Sequence, residues 1–427
     1  MKYEYSKEFA LAMDAKDPLK AYKDRFFHPE VKGNKALYFC GNSLGLQPRT
    51  AGQFVQEVLD AWAAKGVDGH FEGSNPWFDA RLRSKPMLAK ILGAKNSEVV
   101  AMNSLTGNLH LLMVSFYRPT RERFRILTEP DIFPSDRYML ESQVRFHGLD
   151  PKEAIVVARP RPGEHVLRTE DIVKVIEENE ESLALVFMSG VHYLTGQFFE
   201  IPAISRAGRK AGARVGFDLA HAAGNVPLRL HEWEVDFAAW CSYKYLNSGP
   251  GNVAGIFVHE KHGHQPELPR LAGWWGHQEE ARFSLNTDFK PMAGADGWQV
   301  SNNNVLALAA HEAALEIFEA AGMDSLRRKS ELLTGYLEFL VETVAKKHQV
   351  LEIITPRNPA ERGCQLSLLV HKRGKALFEA LYAEGVVGDW RDPNVIRFAP
   401  TPLYNSFEEL FHFAKILERT LENLGAG

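Results

Sequence analysis

Cysteine is scarce in this 427-residue chain: Cys40, Cys241 and Cys364 are the only three, far apart and without a CxxC pair. An odd, scattered set supports neither a disulfide framework nor a zinc knuckle, and it points to a reducing compartment. An excess of charge of one sign is also missing. Fifty Lys and Arg stand against 54 Asp and Glu, a formal net charge of −4. There is no phosphate-tracking basic surface, so nucleic acid is excluded as a partner. No run approaches the roughly 18 apolar residues of a membrane span. The opening MKYEYSKEFALAMDAKDPL is interrupted by acidic residues and has no small-residue cleavage site, unlike a signal peptide. A cytoplasmic protein with no membrane association is expected. Internal repeats and low-complexity tracts are absent, which excludes arrays and tails.

What is present is globular. Hydrophobic residues make up 45% and charged residues 24% of the chain, too apolar for a disordered protein. The length exceeds what one hydrophobic core serves, so two domains, or one large domain with a satellite, are expected. From Glu98 to Glu260, short apolar runs (EVVAMNS, RILTE, AIVVAR, LALVFMS, ARVGFDLAH, DFAAWCSYK, AGIFVHE) alternate with helical patterns such as TGNLHLLMVSF, EDIVKVIEENEE and AISRAGRKAGA. That alternation predicts an α/β domain with a mostly parallel sheet covered on both faces. After Ser301 an Ala-rich helix ending at Gly322 is followed by a second long helix with Asp324 as a possible N-cap. LEIIT, QLSLLV, VVGDW, VIRFAP and a closing helix then predict a smaller α+β unit. The expected division is residues 1–50 as an N-terminal segment packing with the small domain, 51–300 as the large domain, and 301–427 as the small one.

The sharpest chemistry lies between Gly216 and Gly251. Asp218 ends one buried run, His221 follows it, and Lys244 comes just after another, between Tyr243 and Tyr245. Charges at the ends of buried strands are costly unless paired, and that edge of an open parallel sheet is where ligands bind. Taken singly, they read as a structural aspartate and a snorkelling lysine. Together they match what pyridoxal phosphate needs: an amine for a Schiff base and a carboxylate that keeps the pyridine nitrogen protonated. Ser104-Leu105-Thr106-Gly107 ends a strand and opens a helix, a candidate phosphate cradle. Phe133 in DIFPSD is a candidate stacking ring, and Pro134 suits the first turn of a helix.

The segments FCGNSLGLQP, NSLTGNLH, DIFPSDRYM, SGVHYLTGQ, FDLAHAAGN, WCSYKYLNSGPGN, GWWGH, QVSNNN and IRFAPTPLYNSF run from Phe39 to Phe407. In that order they resemble the kynureninase family, within the class V group of pyridoxal-phosphate enzymes shared with cysteine desulfurases. The resemblance implies the aspartate-aminotransferase-like fold (PLP fold type I), with a large mostly parallel sheet domain and a smaller α+β domain. It implies hydrolysis of the Cβ–Cγ bond of L-kynurenine or 3-hydroxy-L-kynurenine, in tryptophan catabolism, giving L-alanine and an anthranilate. It makes Lys244 the Schiff-base lysine, Asp218 the partner of the pyridine nitrogen, and His221 a neighbour of the cofactor. Leu105, Thr106 and Tyr243 would contact the phosphate region, Phe133 the ring face, and Ser135, Asp136 and Ser189 the remaining polar edge. Trp274 and Asn302 resemble residues lent by a neighbouring subunit, which implies a homodimer with shared sites. Arg397 resembles the arginine that binds the α-carboxylate; Ser43, His70 and Asn302 resemble residues near the substrate's aromatic end. Tyr243 is the candidate proton donor.

The residues agree with this at several points and leave alternatives at others. Arg397 follows an apolar strand, and a guanidinium offers the fork a carboxylate takes; an ordinary surface arginine is the plain alternative. Trp274 and Trp275 sit between glycines, which suggests a loop, or interface packing. His70 reads equally as a loop histidine, and Ser301 to Asn304 as a helix N-cap cluster. Gly249 to Ala254 imitates a dinucleotide fingerprint but precedes a strand and so fails the context test. His259, His262 and His264 read as a solvated loop, without the carboxylate or cysteine partners of a zinc site, and no metal is expected. A cysteine desulfurase would need a mobile catalytic cysteine, and Cys364 in the strand-like GCQLSLLV is a poor one. A non-catalytic PLP-binding regulatory protein is the alternative outside enzymology.

Overall fold

The computed structural model describes residues 2–284 and 288–425. Seven strands form the central sheet: β1 (Val99–Ala101), β2 (Arg125–Thr128), β3 (Ile155–Val157), β4 (Leu183–Ser189), β5 (Arg214–Asp218), β6 (Phe237–Cys241) and β7 (Ala254–Val258). Their spatial order is β1-β7-β6-β5-β4-β2-β3. The pairs β2–β3, β2–β4, β4–β5 and β5–β6 are parallel, whereas β7 runs antiparallel to β6 and β1.

Alternation along each strand feeds two cores. In β4, Val186 and Met188 join Val215, Phe217 and Trp240 on one face. Leu185 and Phe187 join Ile126, Phe237 and Ile256 on the other. Because both faces are covered, the strand is apolar throughout rather than on alternate residues. The second face is covered by α4 (Leu105–Phe116) and α5 (Pro134–Phe146). The first is covered by α3 (Ala80–Leu92), α6 (Thr169–Glu178), α7 (Ile201–Lys210) and α8 (Val305–Ala321). α8 also packs on α2 (Ala51–Lys65). α8 thus packs with the helices of the large sheet although it follows residue 300.

The smaller unit is a four-stranded antiparallel sheet in the order β8-β9-β11-β10, from β8 (Leu351–Ile353), β9 (Leu366–Val370), β10 (Asp389–Arg391) and β11 (Val395–Phe398). It packs with α9 (Met323–Ala345), α10 (Gly374–Ala383) and α11 (Phe407–Asn423). Ala10 of α1 (Lys7–Ala15) and Phe39 enter the same core. α11 opens with a capping box, Ser406 with Glu409, a device worth about 1 kcal/mol. Asp324 is not an N-cap: α9 begins at Met323 after Gly322, whose φ of 74° suits glycine, so Asp324 falls in the first turn and complements the helix dipole there. Among the described residues no helix is long and apolar enough to cross a membrane.

Candidate active site

The carboxyl ends of β4, β5 and β6 form the floor of the site. Ser189 and Asp218 are the last residues of β4 and β5 and are register partners. Lys244 lies three residues beyond the end of β6. Opposite them, α4 starts after Ser104 in an extended conformation, and α5 starts with Pro134 at its first turn. Two helix N-termini thus point their free N–H groups at one place. The Thr106 and Ser135 hydroxyls, one from each helix, are hydrogen-bonded at 2.7 Å.

A cavity of about 170 Å³ is enclosed there, and Leu105, Thr106, Phe133, Ser135, Ser189, Asp218, His221, Tyr243 and Lys244 all line it, with Ser104. Tyr193, Val191 and Ala220 also line it and were missed as site residues. Tyr193 stands edge-on to the Phe133 ring at 5.3 Å. Its signal in the sequence was only its place within SGVHYLTGQ.

Lys244 is buried, with Nζ 3.1 Å from His221 Nε2 and 5.6 Å from the centre of the Phe133 ring. Burial, and next the Lys244 ammonium, hold the His221 pKa well below its usual value, so the ring is neutral and accepts from Nζ. Its Nδ1 is buried with no partner. Asp218 Oδ1 accepts from the Ala220 N–H at 2.7 Å. Asp136 sits behind the cavity wall rather than in it, 1% exposed, and neither carboxylate oxygen receives a hydrogen bond. Burial first, then the Asp218 charge, push its pKa well up. A further carboxylate was not anticipated: Glu129, also 1% exposed, accepts from the Ser189 N–H at 3.0 Å and from the Ser189 hydroxyl. Burial raises its pKa to about 7. Burial likewise raises that of Tyr243, next to the Cys241 thiol, so its hydroxyl stays protonated at neutral pH.

None of the predicted substrate residues lines this cavity, and they divide into two groups. Arg397, on β11, is fully buried and donates from Nη1 to the Tyr193 carbonyl at 2.7 Å. Ser43 is half-buried in a loop that docks on the lysine segment, where the Gly45 N–H donates to the Tyr243 carbonyl at 2.8 Å. A Cβ at Gly45 would strike the Lys244 carbonyl and Asn247, so only glycine allows that approach. His70, Trp274 and Asn302 do not line the cavity of their own chain. His70 packs edge-on against Trp77 at 5.2 Å, Trp274 is 50% exposed, and Asn302 is exposed. Asn304 of the same asparagine run caps α8, accepting from the Ala307 N–H.

Two expectations about loops and thiols have clear outcomes. The histidines after β7 are not a solvated loop. His262 Nε2 lies 2.7 Å from Asp236 Oδ1, and both are buried. His259 stacks on His231, and both face Glu98. Three possible ligand atoms of Glu98, His231 and His259 lie within 4.8 Å of one another, but hydrogen bonds already occupy them. The Glu98 oxygens take the Lys95 and Glu260 N–H groups and His231, and His259 Nδ1 takes the Lys261 N–H. Only His264 of the three is exposed. Cys364 is fully buried against Tyr245 and Ala399, and burial raises its thiol pKa to about 12.

The fold is similar to that of a cysteine desulfurase from Thermococcus onnurineus, with a TM-score of 0.74 and 18% identity over 91% of this chain and 95% of that one. A cysteine desulfurase of Escherichia coli is similar at a TM-score of 0.74 and 14% identity, over 95% of this chain and 98% of that one. These likenesses establish the fold of the type I PLP enzymes. A kynureninase of Flavobacterium psychrophilum is 53% identical over 425 residues, 99% of this chain and 100% of its own length. One from Flavobacterium johnsoniae is 52% identical over 420 residues, 98% of this chain and 99% of its own length. Residues 326–417 match the family profile described as the kynureninase C-terminal domain. With half its residues shared across essentially the whole length of such relatives, the chain belongs to the kynureninase family.

Proposed function

We infer that this chain hydrolyses the Cβ–Cγ bond of L-kynurenine or 3-hydroxy-L-kynurenine to L-alanine and the corresponding anthranilate, with pyridoxal 5′-phosphate joined to Lys244. What carries the reading is one cavity that gathers an amine, two helix N-termini, an aromatic ring and a carboxylate edge, in a chain half identical to kynureninases. The cofactor fits the residues present. Ser104 leaves its hydroxyl off its own helix cap, beside Thr106 and Ser135, which suits a phosphate. The Asp218 carboxylate, which lines the other end of the cavity, suits a protonated pyridine nitrogen. When bound, pyridoxal phosphate supplies the electron sink for the bonds broken at Cα and Cβ.

The chain's own groups supply orientation and proton transfer. Lys244 Nζ would hold pyridoxal phosphate and, as a free neutral amine once substrate is bound, would take the Cα proton, with neutral His221 as its hydrogen-bond acceptor. Arg397 holds the α-carboxylate. Water adds to the aryl ketone carbon, and as the Cβ–Cγ bond breaks and the aromatic acid leaves, the protonated Tyr243 hydroxyl delivers its proton to Cβ.

The site is completed by a second copy of the chain. His70, Trp274 and Asn302 do not line their own chain's cavity, and His70 and Trp274 adjoin a run of aromatics that is exposed except at half-buried Phe78. Phe71, Phe78, Phe283 and Trp274 follow one another at ring separations of 5.8, 6.2 and 5.4 Å. Such a patch on a soluble surface marks an interface. The deciding assay offers kynurenine and follows anthranilate fluorescence, with sulfide release from cysteine as the competing outcome.

A further inference from the structure

Two charged side chains beside Arg397, Asp389 and Arg391, have no task in the mechanism above. β10 runs antiparallel to β11 and sets Asp389 directly across from Arg397. Asp389 Oδ1 accepts from Arg397 Nε at 3.1 Å and from Arg391 Nε at 2.8 Å, while Oδ2 accepts from Arg391 Nη2 at 3.1 Å. One carboxylate therefore bridges two guanidinium groups, and among the described residues no second carboxylate pairs with either, which leaves one positive charge in the trio unmatched. Arg397 is fully buried and Arg391 only partly exposed, so water disperses that charge only in part, and an incompletely paired charge at a buried site is costly.

Donors are left over as well. Arg397 Nη2 is 2.8 Å from Asp389 Oδ1 as an ion pair, yet it is buried and makes no well-directed hydrogen bond. Arg391 keeps Nη1 off Asp389. Both guanidinium carbons lie 5.8 Å from the centre of the Tyr193 ring, and Tyr193 lines the cofactor cavity. The pair thus flanks one wall of the site, and both arginines are among the charges that lower the His221 pKa, after burial and Lys244.

We propose that Arg391 is a second recognition residue for the substrate's α-carboxylate, paired with Arg397 about Asp389, and that Asp389 is a positioning residue which aims both forks. The inference rests on the assignment of Arg397 to that carboxylate. The bound carboxylate is the second anion that makes the four-group cluster neutral and gives the leftover N–H groups an acceptor.

The test titrates the cofactor-loaded enzyme with L-alanine and with L-alaninamide, which lacks the carboxylate, following the cofactor's absorption. Kynurenine kcat and KM are measured alongside. The wild type should favour alanine. Arg391→Gln should shrink that preference about tenfold, the scale of one charge-assisted hydrogen bond, with Arg391→Lys in between. The Arg391 side chain is one-third exposed at 33%, so neither change opens the core. Asp389→Asn should act in the opposite sense, tightening alanine several-fold because a second positive charge is unmasked, while kcat falls as the forks lose their common anchor. An unchanged preference in Arg391→Gln, with the wild-type preference intact, overturns the proposal alone. So does Asp389→Asn weakening alanine and alaninamide equally. Equal affinity of the wild type for the two ligands would instead overturn the Arg397 assignment beneath it.

Discussion

Lys244 Nζ lies 3.1 Å from His221 Nε2, at the bottom of a cavity whose opposite wall is built from two helix N-termini. A neutral imidazole at that distance accepts a hydrogen bond from the lysine and adds no second positive charge beside it. Lys244→Ala should therefore remove both the covalent link to the cofactor and the base at Cα. Mass spectrometry after borohydride reduction should find no modified residue at position 244, and kynurenine turnover should be abolished. Wild-type turnover in this variant would remove the lysine from the mechanism.

Tyr243→Phe separates proton delivery from cofactor binding. Burial keeps the Tyr243 hydroxyl protonated, and a positioned acid contributes about 10² to 10⁴-fold. The variant should retain its cofactor absorption while kcat drops by that range. Full activity would assign the proton to another group.

Glu129 predicts a pH dependence of stability. Its folded pKa, near 7, lies above the ordinary 4.5 because of burial. Between those values the folded state holds more protons than the unfolded state, so stability falls as pH rises through the window. By about pH 7.5 the loss amounts to roughly 3 kcal/mol on the 1.36 kcal/mol-per-unit scale. Melting temperatures at about pH 5 and about pH 7.5 should differ less in Glu129→Gln than in the wild type. Identical slopes would show that Glu129 does not titrate there.

Cys364 is the residue on which a desulfurase reading would depend, and it is buried beside Tyr245 and Ala399. Cys364→Ala should leave kynurenine turnover within about twofold and cost on the order of 1 kcal/mol of stability for the lost packing. Sulfide release from cysteine that disappears in this variant would contradict the kynureninase assignment.

Sharing of the site between subunits can be tested by complementation. Lys244→Ala and Trp274→Ala subunits, each impaired alone, should regain activity when refolded together, because one mixed site carries both native residues. Phe283→Asp should shift the sedimentation coefficient towards that of a monomer. Activity strictly additive in the mixture would place both residues in one subunit's site.

Most of the large domain was legible in the sequence because its signals are local. A strand covered on both faces must be apolar along its length, as in Leu183–Ser189, and a helix must begin where a strand's connection ends, as at Ser104 and Phe133. Those two rules bring Lys244, Asp218, Thr106 and Ser135 to one sheet edge. Composition adds what scarcity excludes, and the ordered motifs identify the family.

Other features depend on pairings between distant segments, which no local pattern records. Glu129 meets Ser189 only because β2 and β4 are neighbours in the sheet. Asp389 bridges two arginines only because β10 and β11 pair in that register. His259 and His262 become buried when Glu98 and Asp236 close over them from other parts of the chain. The sequence by itself determined which side chains end the strands and open the helices, since each element must bury its own apolar face. Only the tertiary structure decided which of those charged groups share a partner, because burial makes every unpaired charge expensive and the fold selects the neighbour that offsets it.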